Sequence, residues 1–328
     1  MKAIVLQEFG PPQKLKVVEM DDPLPGIGEV VIAARAVPVT FPDCLMLEDK
    51  YQFKAPLPFV PCGEVAGIVV ELGEGVEDLS IGDRVIASTG VVGSLAEFVV
   101  VPVAAARRLP ETVGFAESTG LMYAYGTSYY GLRYRGELQR GETVLVLGAG
   151  GNVGLSAVEL GKLMGARVIA AASSQTKLDL CRDRGADETI NYDEEDLKER
   201  AKELTGGQGV DVVVDCVGGD YAEQALRAMA WGGRFLVIGF TAGIPRMPLN
   251  LVLLKSCQIV GVFLGGLQRH DPELAHSILE QLLEFTASGQ LKPHVSGRYS
   301  LAEAQEAFQS LIDRQATGKV IVEPVDAR

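Results

Sequence analysis

Residues 143–154 read Thr143-Val-Leu-Val-Leu-Gly148-Ala-Gly150-Gly151-Asn152-Val153-Gly154: a short apolar run breaks into clustered glycines and continues as helix-compatible sequence. A strand that enters a helix through glycines brings unpaired N–H groups and the positive end of the helix dipole to one point, with no side chain to hold an anion away. Such a turn can cradle a pyrophosphate. The spacing Gly148-x-x-Gly151-x-x-Gly154 differs from G-x-G-x-x-G, and a glycine run alone says little. Its surroundings say more. A second apolar run, residues 167–172, follows one helix later and completes a βαβ unit of the ~30 residues that a dinucleotide fold uses. The expected ligand is therefore a dinucleotide, held by Gly148, Gly150, Gly151, Asn152, Val153 and Gly154.

The second strand indicates which one. NAD sites carry an acidic residue ~20 residues beyond the glycines, where it holds the ribose 2′-hydroxyl. Here that place is taken by Ser173 and Ser174, and Lys177 follows one turn later. Two hydroxyls and a cation suit a 2′-phosphate. A serine N-cap followed by a solvated lysine is the plainer reading of the same residues. The two uses are compatible, and the expected cofactor is NADPH.

Before residue 115 the chain is a series of short β-rich pieces (30–36, 65–72, 84–87, 98–101) broken by turns such as Gly73-Glu-Gly75 and Ser80-Ile-Gly82-Asp83, with no helical period. This half reads as an all-β, barrel-like module. From about residue 123 strands alternate with helices. Strands are expected at 143–147, 167–172, 210–215, 234–239 and 258–263, with helices at 176–184 and 193–204, as a doubly wound parallel sheet requires. Carboxyl ends of such strands contact ligands, which nominates Val217, Gly239, Phe240, Phe263 and Leu264. Core packing is the equal alternative for the apolar ones. In the tail, Asp271 and Pro272 open a helix that runs to Gly289, Ser300-x-x-Glu303 forms a capping box, and Lys319-Val-Ile-Val is a last strand.

The chain has 328 residues, enough for two cores, and 30 basic against 43 acidic residues give a net charge of −13. That charge repels nucleic acid and anionic membranes. No run reaches the ~18 apolar residues of a membrane span, and the start Met1-Lys-Ala-Ile-Val-Leu lacks the long apolar region of a signal peptide, so a cytoplasmic protein is expected. Five cysteines, widely spaced and without a C-x-x-C pair, fit neither a disulfide framework nor a zinc knuckle. The apolar strand 259–263 ends the sheet and leaves a hydrophobic edge, for which homodimerisation is the expected cover.

Phe41-Pro42-Asp43, Tyr51-Gln52, Leu57-Pro58-Phe59-Val60-Pro61, Glu64-Val65-Ala66-Gly67, Gly82-Asp83-Arg84-Val85, Tyr125-Gly126-Thr127, Gly185-Ala186-Asp187, Trp231-Gly232-Gly233-Arg234 and Thr317-Gly318-Lys319-Val320 stand in an order that resembles the medium-chain dehydrogenase/reductase superfamily. Within it the chain is similar to the zinc-independent quinone oxidoreductase (zeta-crystallin-like) branch. The resemblance implies an α/β protein: a Rossmann doubly wound parallel sheet at 123–264, inserted in a β-rich GroES-like catalytic domain formed by 1–122 and 265–328, with the active site in the cleft. It also implies Thr127 near the nicotinamide riboside, Tyr192 and Lys319 beside the adenosine phosphate, and Tyr51 as an active-site tyrosine. Thr40 departs from the asparagine common beside the nicotinamide; it keeps a hydroxyl and loses the amide donor. Asn152 departs from the usual glycine-rich turn.

Zinc-dependent relatives ligate the metal through cysteine and histidine at positions that correspond to Thr40, Gly63 and the vicinity of Thr119, none of which supplies a thiolate or imidazole. No metal is expected. Without zinc or a catalytic histidine, hydride transfer needs an acceptor that is already electrophilic, which points to quinones, with enones, enals or enoyl thioesters as the enzymatic alternative. A non-catalytic NADPH-binding interaction protein is the reading from another class. Tyr51 is the candidate for the acceptor pocket, by stacking or by donating to developing oxyanion charge; a partly exposed loop tyrosine is its alternative. The loops at 91–94 and 264–270 are expected to shape the pocket.

Overall fold

The computed structural model describes residues 1–324. It divides into two compact units, Met1–Met122 with the chain from Leu283 onward, and Tyr123–Leu282. Chain order gives Lys2–Leu6 (β1), Leu15–Glu19 (β2), Glu29–Val39 (β3), Glu64–Leu72 (β4), Arg84–Ser88 (β5), Phe98–Pro102 (β6) and Ala106–Arg108 (β7). Next come Thr143–Leu147 (β8), Arg167–Ala172 (β9), Glu188–Asn191 (β10), Val210–Asp215 (β11), Met229–Val237 (β12) and Gln258–Gly261 (β13). Val295–Ser300 (β14) and Lys319–Glu323 (β15) close the chain.

The first unit is built around β3. Its sheet runs β14-β15-β3-β4-β5-β7, with β6 also on β3. One strand can serve so many partners because its register against β4 shifts twice, between Val31 and Ile32 and between Ala34 and Ala36. Such bulges bend a strand and raise its twist, so successive segments face different neighbours. The C-terminal β15 pairs with β3 at Val37–Val39, which ties the chain's last strand to this unit. Ile32, Val65, Val85, Val99 and Phe308 fill the core. A separate antiparallel pair, β1 with β2, had no counterpart in the sequence reading. Nor did the helix Phe41–Leu47, whose seven residues are too few to show a helical period.

The second unit is a six-stranded parallel sheet of order β10-β9-β8-β11-β12-β13. From β8 the sheet is extended first toward β9 and β10, then on the other side by β11, β12 and β13. The carboxyl end of β8 is therefore the topological switch point where such sheets bind ligands. β8, β9 and β11 carry Val, Leu, Ile and Ala on both faces, as strands covered by helices on both sides must. Four details differ from expectation. β10 was unforeseen, being four residues with only Ile190 and Asn191 buried. β12 begins at Met229 and ends at Val237, and Leu264–His270 is a helix, not a loop. The second unit ends at Leu282 and not at 264, because the crossing falls inside the helix Pro272–Ala287.

Candidate functional site

Leu147 ends β8, and the chain turns at Gly148 with φ +70 before the helix Asn152–Leu163. A Cβ on Gly148 would lie 2.8 Å from Val217 Cγ2, and one on Gly154 would lie 2.2 Å from the Gly148 carbonyl oxygen. At Gly154 backbone meets backbone, while at Gly148 a left-handed φ adds to the side-chain clash, and both favour glycine. Gly151 is different: it caps the helix, is exposed, and its Cβ would touch only Gly148 O at 3.5 Å. Nothing in the protein's own packing demands a glycine there. A glycine there leaves the first helical N–H groups of Asn152, Val153 and Gly154 open to approach.

Lys177 comes to this turn from the next helix, Gln175–Asp183. A Cβ on Gly150 would sit 2.6 to 2.9 Å from Lys177 Cβ, Cγ and Cδ, so the lysine stem lies across the glycines. Ser174 occupies the N-cap position of that helix, yet its side chain makes no capping hydrogen bond. Ser173, Ser174 and Lys177 are each half-buried. The Tyr192 ring packs on Tyr221, centroids 4.5 Å apart, and Tyr221 donates to Asp193 Oδ1 at 3.3 Å. Tyr221 was missed; a lone tyrosine in the first turn of a helix carries no signal in sequence.

The ends of β11 and β12 are fastened by Asp215. Its Oδ1 accepts from Val217 N–H and Gly218 N–H, both at 2.8 Å, and its backbone oxygen accepts from Ile238 and Gly239. Burial raises the Asp215 carboxyl while those amides oppose the rise. Val217 and Leu264 are buried; Phe240 and Phe263 are 43% and 47% exposed. Thr127 is half-buried on the helix Gly126–Tyr129. Its neighbour Ser128 donates to Val153 O at 2.9 Å, and Tyr125 donates to Glu159 Oε2 at 2.8 Å. These bonds fix the Thr127 segment to the helix that follows the glycine turn.

In the first unit β3 delivers Thr40 to the start of the helix Phe41–Leu47, where Pro42 presets a helical φ. Asp43 Oδ2 accepts from Thr40 N–H at 2.7 Å and from the Thr40 hydroxyl at 2.5 Å. Asp43 is buried, and burial lifts its carboxyl to about 6 against the pull of bonds from Thr40 and the Cys62 amide. Tyr51 packs beside this core and against Phe53, and its hydroxyl is raised first by burial and then by the Asp43 charge. The structure thus places Tyr51 within reach of the field of Asp43, to which Thr40 is bonded. Asp43 was part of a quoted motif but was not singled out; an Asp three residues after a Thr looks like a helix cap.

Lys319 does not stand where the resemblance implied. It is 1% exposed at the start of β15, and its ammonium donates to the backbone oxygens of Glu117 (3.1 Å) and Thr119. Glu64, also 1% exposed, accepts from Gly120 N–H at 2.6 Å on Oε1, and burial raises its carboxyl to about 7 although Lys319 pulls it down. Lys319 is thus an internal counter-charge that holds the 117–120 segment, and a buried ammonium already bonded to two carbonyls does not reach for a phosphate.

The zinc-ligand positions offer no ligand set. The Thr40 hydroxyl is bonded to Asp43, Gly63 has no side chain, and the Thr119 hydroxyl donates to Ala116 O at 2.8 Å. These residues do not fit the metal.

Two family models match the chain: alcohol dehydrogenase GroES-like domain over residues 26–111, and zinc-binding dehydrogenase over 152–284. A quinone oxidoreductase-like protein 2 homolog of Nematostella vectensis is 39% identical over 98% of this chain and 88% of its own length. The chain belongs to the quinone oxidoreductase branch of the medium-chain dehydrogenase/reductase superfamily. The quinone oxidoreductase of Pseudomonas aeruginosa is 32% identical, covering 98% of this chain and 99% of that one. Among solved structures, Escherichia coli quinone oxidoreductase complexed with NADPH superposes with a TM-score of 0.91 at 30% identity, covering 99% and 100%. A mycobacterial protein complexed with NADPH gives 0.90 at 32%, again covering 99% and 100%. Membership of this branch covers both units, the GroES-like one and the Rossmann one.

Proposed function

We propose that the protein is a cytoplasmic, homodimeric NADPH-dependent reductase that works without zinc and passes hydride to quinones. The observation that carries this reading is the turn at Gly148–Gly154: a glycine at 151 that packing does not require, with the Lys177 stem laid across Gly150. The helix N–H groups of Asn152, Val153 and Gly154 take the pyrophosphate, and Ser173, Ser174 and Lys177 surround the 2′-phosphate. Tyr192 flanks the adenosine, while Thr127, Val217, Gly239, Phe240, Phe263 and Leu264 line the nicotinamide side. Bound NADPH supplies the hydride. The chain's own residues orient the acceptor and exclude water, because a quinone accepts hydride without a Lewis acid. Tyr51 lies along the acceptor and donates to its developing oxyanion. NADPH-complexed relatives of the same fold and quinone oxidoreductase relatives support the reading.

Homodimerisation is supported by the exposed apolar side chains on and before the edge strand β13: Leu249, Leu253, Leu254 and Ile259 are 70%, 80%, 65% and 37% exposed. An unpaired apolar edge of this kind invites a second strand. Five free cysteines fit a reducing compartment. Enones and related acceptors form a second reading, favoured by the hydroxyl–carboxyl pair Thr40–Asp43, since an enolate needs a proton more than a quinol does. The test is NADPH oxidation with matched panels of quinones, enones and enoyl thioesters. Turnover highest with quinones supports the reading; NADPH binding without oxidation by any acceptor refutes it.

A further inference from the structure

We propose that Thr40 and Asp43 form a proton-delivery pair, in which the buried Asp43 carboxylic acid recharges the Thr40 hydroxyl as that hydroxyl protonates the oxyanion left on a reduced acceptor. This rests on the reductase reading above and names the proton source that the reading leaves open. The geometry is unsymmetrical in a useful way. Asp43 is 6% exposed, and Thr40, half-buried, is the member through which a proton can pass outward. Their oxygens are 2.5 Å apart, within the range of a short O–H···O bond.

The direction of that bond depends on charge. With Asp43 ionised, the Thr40 hydroxyl donates inward and offers only lone pairs outward. With Asp43 protonated, the carboxylic acid donates to Thr40 Oγ, and the threonine hydrogen is released to donate outward. The delivery step follows: the Thr40 O–H bond breaks as a new O–H bond forms on the acceptor, and the Asp43 proton moves to Thr40 Oγ. The products are an ionised Asp43, an intact threonine and a neutral acceptor, and solvent returns one proton to Asp43 before the next turnover. One proton and one hydride enter per acceptor.

The surroundings suit an acid. The helix carrying Asp43 presents Cys44, the following loop presents Tyr51, and the 62–64 segment presents Cys62 and Glu64, and the Lys319 ammonium acts on Glu64. No salt bridge to Asp43 is formed among the described residues, and its hydrogen bonds come from Thr40 and the Cys62 amide. Cys62 itself is held at φ +65, a left-handed backbone that a cysteine adopts only when its surroundings impose it. A helix cap alone would need neither a buried acid nor a strained neighbour turned toward it. Burial accordingly lifts Asp43 to about 6, so that a minority of molecules carry the proton at neutrality and the share grows as pH falls.

The experiment compares wild type, Thr40→Val, Thr40→Ser and Asp43→Asn. The probes are 2-cyclohexenone and 1,4-benzoquinone, with kcat followed across pH and in deuterium oxide. A carbon-13 label on the aspartates follows Asp43 in the resting protein, Asp43→Asn identifying its signal. Wild-type kcat on the enone should fall as pH rises through the Asp43 titration, because the acid is consumed. Thr40→Val should lower that kcat about 10²-fold, the lower range for general acid catalysis. It should also abolish the pH limb and the solvent isotope effect, and Thr40→Ser should recover most of the rate. In the resting protein Thr40→Val should move the Asp43 midpoint upward, since the ionised form loses a donor. Wild-type enone kinetics and pH profile in Thr40→Val, or an unmoved Asp43 midpoint, overturns the pair while the reductase reading stands. A wild type that oxidises NADPH with neither acceptor overturns the reductase reading instead.

Discussion

Removing the Lys177 ammonium while keeping its stem should convert the protein from an NADPH binder into one that hardly distinguishes NADPH from NADH. Lys177 lies across the glycine turn, its Cβ to Cδ carbons within 2.6 to 2.9 Å of where a Gly150 Cβ would be. Alanine would therefore remove both packing and charge, whereas Lys177→Met keeps most of the stem and loses only the cation. A hydrogen bond to a charged group is worth roughly 1.5–3 kcal/mol, and ~1.4 kcal/mol is a tenfold change in Kd. NADPH affinity should fall about ten- to a hundredfold, and NADH affinity should stay within about a factor of two. Calorimetric titration of both cofactors reads this directly. Two further signatures follow from the charge: added salt should weaken NADPH binding more in wild type than in Lys177→Met. So should acidification below the second phosphate pKa of about 6. Equal losses for NADPH and NADH in Lys177→Met would show that the lysine supports the turn, and an unchanged NADPH affinity would place the 2′-phosphate elsewhere.

The glycines should separate cleanly. Gly154→Ala drives a methyl to 2.2 Å from the Gly148 carbonyl and should cost at least the ~1–3 kcal/mol of an overpacked site, seen as a lower Tm. Gly151→Ala meets nothing closer than 3.5 Å and should cost only the ~1 kcal/mol or less of a poorer cap while impairing NADPH binding; equal affinity in that variant would refute the cradle. Tyr51→Phe should leave NADPH affinity unchanged and lower quinone turnover modestly, with Tyr51→Ala worse and enones more sensitive than quinones. The lost oxyanion donor is worth up to ~3 kcal/mol, and wild-type kinetics in both variants would remove Tyr51 from the pocket. Light scattering at micromolar concentration should show a dimer that Ile259→Lys dissociates; a wild-type monomer would contradict the β13 edge as an interface.

How far the sequence alone carried depended on length and periodicity. Strands 143–147, 167–172 and 210–215 are apolar on both faces and came out at the same residues as β8, β9 and β11. The helix Phe41–Leu47 and strand β10 did not, because seven and four residues carry too little pattern. The glycine turn was legible because a left-handed φ at 148 and backbone contacts at 154 favour glycine. Asp43 was not singled out, since an acidic residue in sequence gives no sign of its burial. Lys319 shows the opposite error: in sequence a lysine reads as a free cation, and only the fold reveals the carbonyls of Glu117 and Thr119 that occupy it.

The most direct measurement of the central claim is an anaerobic single turnover. Protein treated with chelator and loaded with one equivalent of NADPH is mixed with 1,4-benzoquinone, and NADPH and hydroquinone are followed together. Each bound NADPH should be consumed, one hydroquinone should appear for it, and the chelator should make no difference. NADPH that stays bound and unoxidised in the presence of the quinone, or oxidation that returns only when zinc is added back, would contradict it.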